Sequence, residues 1–294
     1  MAVPQSQAGI DGFIPELWAA AIQEPFEKQL VYAQAGITNR TYDGEITGRG
    51  DAVHVSTIGT PTIRDYDASK DLTIEDLQIE DNALKIDQGD YFAFRVEDVS
   101  ALQAAGPLRD PATRQAATAL RDKADAHVAK VMADGAGSKV GTVEINPRSD
   151  DAWGLVLELR KRLNAHSVPH AGRFLIVGPE FESAILRAPE FYRVNESGSE
   201  ETLRNGVIGR LAGFDVFVSG NAPVKSGRET VIAGVPDAVA FAQQITKVEA
   251  MREPYRFADL VKGLLVYGAK VFLGQGLASA DVKISIPTTA EPAA

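Results

Sequence analysis

No cysteine occurs anywhere in the 294 residues. That removes disulfides, thiolate metal sites and cysteine nucleophiles together. Histidine is scarce as well, with only His54, His127, His166 and His170 present. His166 and His170 are four apart, but Pro169 lies between them and no third ligand is evident. Zinc takes three or four ligands, so no metal site is expected. Long hydrophobic runs are also lacking. In the mostly apolar stretch Tyr255–Phe272 (YRFADLVKGLLVYGAKVF), the sixteen residues from Phe257 carry Asp259, Lys262 and Lys270. A membrane-spanning helix needs about twenty mainly apolar residues. This stretch is therefore not an anchor and has the content of a buried strand. The N-terminal MAVPQSQAGIDGF lacks the basic start and apolar core of a signal peptide.

Basic charge is in deficit. Thirty Lys and Arg face forty Asp and Glu, for a net −10. Broad nucleic-acid binding is disfavoured, since that affinity comes from neutralising phosphates with cations. The excess is uneven: between Asp65 and Asp98 stand eleven acidic residues against Lys70, Lys85 and Arg95. A hydrophobic content of 45% with 24% charged residues is that of a globular protein with a core. The length suggests two domains or one elaborated domain.

Catalytic signatures are missing too. The glycines of GAGSKVG (135–141) fit neither phosphate-loop spacing and follow a helix pattern rather than a strand, so a flexible interdomain joint is expected. No G-x-S-x-G elbow occurs. Carboxylates are plentiful, but abundance in a solvated acidic segment does not indicate acid–base chemistry. No catalytic residue, cofactor or enzyme activity is expected.

What is present is a series of patterned segments. Phe13–Gly36 has apolar residues near helical spacing, with Pro25 as a kink. Val53/Val55, Leu72/Ile74, Leu77/Ile79 and Leu84/Ile86 alternate as in short hairpin strands, with the polar IRDYDASKDLTI as a loop tip. A long two-stranded projection would be marginal alone in water and would need a partner surface. Arg109–Gly135 is the clearest helix, with Asp110 as cap, Pro111 at the first position and Gly135 as terminator. Ala116, Leu120, Ala124, His127, Val128 and Val131 form its apolar stripe, which makes His127 a core histidine. Arg114, Arg121, Lys123 and Lys130 occupy the other face. A helix of some 24 residues would run about 36 Å. A mixed α/β part follows: a helix from Asp150 or Asp151 to Leu163, strand RFLIVGP, helix FESAILRAPEF, strand and turn LAGFDVFVSGNAP, then TVIAGVPDAVAFAQQI as a strand and a helix-like element. GLLVYGAKVF is a buried strand with Lys262 and Lys270 facing out, and the terminal PTTAEPAA should fray.

These stretches resemble the major capsid proteins of tailed bacteriophages, with the HK97-like capsid fold. GDYFAFRVEDVSALQA running into RDPATRQAATALRDKADAHVAKVM is similar to the family's extended-loop return and spine helix. RFLIVGPEFESAIL and LAGFDVFVSGNAP are similar to axial-domain segments, and FADLVKGLLVYGAKVFLGQGLA to the late peripheral-domain strand. The resemblance implies an α+β fold with an N-terminal arm (1–40), an extended β-hairpin loop (41–95), a peripheral domain with the spine helix (96–140 and 244–286), a mixed α/β axial domain (141–243) and a tail (287–294).

The implied function is self-assembly as hexamers and pentamers into the icosahedral head shell of a tailed phage. Such a shell encloses double-stranded DNA without sequence-specific binding. It forms in the host cytoplasm and resides in the virion, with no membrane contact. Loop residues Asp65, Tyr66, Asp67, Lys70 and Asp71 would lie on a neighbouring subunit, facing Arg114, Arg121 and Lys123 of its spine helix. Phe13, Leu17 and Trp18 would anchor the arm. No N-terminal scaffolding segment is visible, so a separate scaffolding protein is expected, besides a portal and a possible decoration protein. Gln243–Ile286 contains no Asn, so no Lys–Asn cross-link is expected there. An encapsulin-like compartment is the nearest alternative reading. A soluble α/β enzyme or ligand-binding protein is the alternative of another class.

Overall fold

In a computed structural model the chain is described at residues 31–41, 52–58, 62–63, 74, 76, 79–97, 109–145, 151–188, 209–253, 255 and 257–284. Strands β1 (Ala52–Ile58) and β2 (Ile79–Lys85) form an antiparallel hairpin in unbroken register, from Ala52 opposite Lys85 to Ile58 opposite Ile79. Chain direction then changes purpose. β3 (Gln88–Glu97) leaves the hairpin and pairs with β11 (Ala258–Val271), which pairs in turn with β10 (Val239–Arg252). Helix α1 (Arg109–Gly135) packs on this three-stranded sheet.

The second body is a seven-stranded mixed sheet. Its path runs from β4 (Ser138–Ile145) through β12 (Leu277–Ile284), β9 (Arg228–Gly234), β5 (Phe174–Val177) and β7 (Phe214–Val218) to β6 (Arg210–Leu211), with β8 (Val224–Lys225) paired to β9. Helices α2 (Asp151–Ala165) and α3 (Pro179–Arg187) cover it. Leu155, Leu159 and Leu163 bury one stripe of α2, and all four residues of β5 are buried. One core cluster runs through this sheet, α1 and residues 31–37; a smaller one holds the hairpin base.

Several expectations change. Residues 31–36 form hydrogen-bonded turns rather than the end of a helix; Phe13 to Leu30 of that reading lie outside the described residues, as do Leu72, Leu77 and the terminal PTTAEPAA. Ile74 is exposed and outside any strand. Helix α1 spans all 27 residues, about 40 Å, so Asp110 and Pro111 sit inside its first turn. Gly135 ends it for want of room: a Cβ there would meet the Val271 side chain. GAGSKVG is no flexible joint. Gly137 donates its N–H to the Gly274 carbonyl at 2.8 Å, and Ser138 starts β4.

LAGFDVFVSG is a tight hairpin, β6–β7, turning at Ala212 and Gly213 with positive φ. AVAFAQQI is β10 rather than a helix. Its apolar residues alternate with period two: Val239 and Phe241 join the main core, and Ala240 and Ala242 the hairpin cluster. Leu277–Ile284, grouped in sequence with the peripheral segment, lies between β4 and β9 instead. Partner choice between strands is non-local, and a short apolar strand does not encode which sheet it will join.

Candidate functional site

The apolar C-terminal stretch is the middle strand of the three-stranded sheet, and its two faces have different fates. Towards α1, Val261, Leu265 and Tyr267 are buried. The half-buried His127 of α1 stacks edge-on against Tyr267, with centroids 5.5 Å apart. Burial lowers the pKa of His127 below the usual histidine range, as expected for a neutral packing ring. On the other face, Val266 joins Val53, Leu84, Ile86, Ala240 and Ala242 in a small cluster that seats the hairpin. Gly268 permits this seat, because a Cβ there would strike the Lys85 carbonyl and Ile86. Gly263 likewise makes room for the Phe92 ring.

The two lysines diverge. Lys262 is exposed and pairs with Glu249 directly opposite on β10 at 3.0 Å. Lys270 does not simply face out: it donates to the Ala83 carbonyl at 3.0 Å, fastening the hairpin, and its ammonium lies 5.6 Å from the Phe272 ring centroid.

Beyond the hairpin seat the same sheet face is open. Register places Tyr91 beside Leu264, Ala93 beside Lys262, and Arg95 beside Leu260 with Met251 next in the row. Tyr91 is 76% exposed, and Leu264 and Met251 are also exposed. A groove of about 490 Å³ lies here, lined by Tyr91, Phe92, Ala93, Gly263 and Leu264 with Lys262 and Glu249. An apolar strip of this kind on a sheet is a common interaction surface.

The basic residues expected on the spine helix separate. Arg114 and Arg121 are exposed. Lys123 donates to Asp90 of β3 within its own chain, and Asp90 also accepts from the Tyr267 hydroxyl at 2.7 Å. Burial works against the Asp90 charge, but the bonds from Lys123 and Tyr267 outweigh it and hold the carboxyl below the usual range. Burial and the neighbouring Asp90 push the Tyr267 hydroxyl up. Asp65, Tyr66, Asp67, Lys70, Asp71, Phe13, Leu17 and Trp18 lie outside the described residues. Of the segment between them and β2, Ile63 and Ile74 are 96% and 90% exposed.

Sequence reading missed the polar joint at the centre. Asp125 of α1 is fully buried and accepts the backbone N–H of Val31 at 3.1 Å and of Ala33 at 2.9 Å. Asn221 of the turn after β7 donates to Asp125 at 3.0 Å and to Asp122 at 2.7 Å. Residue 39 then pairs with β10 at Ala240. Residues 31–39 thus touch the spine helix and both sheets' connections. The available signal was an aspartate between Ala124 and Val128 on the stripe. Glu229 of β9 is a second buried carboxylate, accepting the N–H groups of Glu180 and Phe181 at the start of α3.

A long helix behind a three-stranded sheet, a second sheet of seven strands and a projecting hairpin make up the HK97-like capsid fold. Solved structures share it. A chain of Mycobacterium phage Che8 is 31% identical, with a TM-score of 0.78 over 91% of this chain and 97% of that one. The capsid of cyanophage P-SCSP1u matches at 14% identity and a TM-score of 0.72, covering 90% and 91%. The SrpI encapsulin of Synechococcus elongatus is similar in fold alone, at 12% identity and a TM-score of 0.56 over the full length of both. No curated protein matches the sequence. The family described as phage capsid protein matches residues 80–279. The chain belongs to that family and is a major capsid protein, a subunit of a phage shell.

Proposed function

We propose that the subunit assembles as hexamers and pentamers of an icosahedral head, each hairpin lying across the neighbouring subunit. The observation that carries this is the hairpin itself. It has two strands only, touches its own chain through one small cluster at the base, and leads to exposed Ile63 and Ile74. Two strands alone do not hold in water, so the distal part needs a surface supplied by another copy. The open groove at Tyr91 and Leu264 and the exposed Arg114 and Arg121 supply apolar and basic ground for it. Acidic Asp65, Asp67 and Asp71 match that basic face in sign. Each exposed pair contributes about 0–1 kcal/mol, but a shell repeats it many times.

In this reading the three-stranded sheet with α1 is the peripheral domain and the seven-stranded sheet with α2 and α3 the axial domain. Residues 1–40, including Phe13, Leu17 and Trp18, form the arm. A separate scaffolding protein and a portal complete the head, assembly takes place in the host cytoplasm, and a structural rather than an enzymatic role is assigned. Negative-stain electron microscopy with light scattering tests the reading. Closed angular shells, or capsomers that close when scaffold is added, are expected. A monodisperse monomer or dimer that never assembles, even with scaffold, overturns it.

A further inference from the structure

Asp125 has no ion-pair partner among the described residues, yet every hydrogen-bond direction at its far oxygen is determined. Its Oδ1 takes the amides of Val31 and Ala33; its Oδ2 takes one hydrogen of the Asn221 amide. The other hydrogen of that amide goes to Asp122 Oδ1. An amide NH₂ carries two hydrogens, and both are therefore spent on carboxylates. A proton on Asp125 Oδ2 would face a hydrogen of Asn221. Turning the amide over would satisfy that proton but set the Asn221 oxygen against the Asp122 oxygen. Neither orientation suits a protonated Asp125 beside the Asp122 carboxylate, whereas Oδ1 accepts from Val31 and Ala33 in both states.

We propose that Asp125 is a charge-dependent latch: ionised, it fastens the Asn221 turn to the spine helix, and protonated, it releases that turn while keeping residues 31–33. Three groups surround it. The buried Tyr32 hydroxyl comes from the 31–33 segment, Asp122 lies one turn back on α1, and Glu229 of β9 bears on Tyr32. Lys123 is turned to β3 and Asp90. No cation offsets the charge, and burial, the largest influence, lifts the Asp125 pKa above the usual aspartate range despite bonds from Asn221, Ala33 and Val31. Because the folded value exceeds the unfolded one, protonating Asp125 favours the fold as a whole. Mild acid therefore opens one contact without unfolding the chain.

The readout is hydrogen exchange by mass spectrometry on the full-length, unassembled subunit, corrected for intrinsic rates. The Asn221 N–H is held by Ser219 Oγ and the Thr230 N–H by the Pro223 carbonyl. On passing from neutral pH to about pH 5, a peptide spanning 219–230 should exchange roughly tenfold faster while one spanning 31–33 stays protected. Asp125→Asn, permanently uncharged, should show the fast turn already at neutral pH. Asp122→Asn, whose amide can match Asn221 in either orientation, should show a slow turn at both. An unchanged turn in the parent protein, a slow turn in Asp125→Asn, or a step that persists in Asp122→Asn each overturns the latch. None of these outcomes depends on whether shells form.

Discussion

Glu229 and Asp125 pose the same physical problem and solve it differently. Each carboxylate is removed from water and has its pKa raised, chiefly by burial, although backbone N–H groups donate to it. For Glu229 those donors are Glu180 and Phe181, which would otherwise be orphaned at the first turn of α3. Truncation by Glu229→Ala should cost about 1–3 kcal/mol, because two buried donors lose their acceptor; urea unfolding of the subunit measures it. Glu229→Gln keeps an acceptor and should cost less. The sign with pH follows from the raised folded value. The contribution of Glu229 to stability is full below the ordinary glutamate pKa of 4.5 and falls as pH rises through the folded value. The stability difference between Glu229→Gln and the parent should therefore move in favour of the glutamine form as pH rises over that window, and a difference independent of pH would contradict it.

The hairpin and the spine helix are held by contacts that separate folding from assembly. Lys123 serves its own chain through Asp90, whereas Arg121 makes no ion pair or hydrogen bond among the described residues. Lys123→Glu should thus lower subunit stability by about 1 kcal/mol, while Arg121→Glu should leave it within about 0.5 kcal/mol and act on assembly alone. Chemical denaturation and light scattering on both variants distinguish the two effects. Charge reversal of Asp65, Asp67 and Asp71 together should impair assembly and leave the monomer folded; intact shells from that triple variant would refute the docking of the hairpin on basic ground. The hairpin seat offers a complementary test. Gly268→Ala places a methyl group against the Lys85 backbone and Ile86, and should cost roughly 1–3 kcal/mol as an overpacked contact. Exchange of the β1 and β2 amides should rise with it.

At the level of the shell, the net charge of −10 decides how the protein treats its contents. A negative subunit releases few counterions on meeting DNA, so affinity has no electrostatic source. Fluorescence anisotropy with duplex DNA at physiological salt should show binding no tighter than the weak, non-specific range of about 10⁻⁴ M. Tight binding would require a basic patch inside the head that neither α1 nor the seven-stranded sheet provides among the described residues.

Much of this architecture was legible along the chain because its signals are local. The 27-residue helix at Arg109–Gly135, the leucine stripe of α2 and the buried strand at Phe174–Val177 each follow from periodicity and need no knowledge of distant residues. Composition alone excluded disulfides and a spanning helix in the C-terminal stretch. The non-local facts belong to the tertiary structure. Short apolar segments such as AVAFAQQI and LASADVKI carry no mark of their partners, so strand or helix, and one sheet or the other, was settled only by packing. Gly135 and Gly268 stand where other segments cross, which a turn reading of glycine does not anticipate. Asp125 was visible as an acid on an apolar stripe, but its role arises from Val31, Ala33 and Asn221. Residues about ninety apart in the chain meet at one carboxylate, and only the folded core can desolvate that charge and supply its donors together.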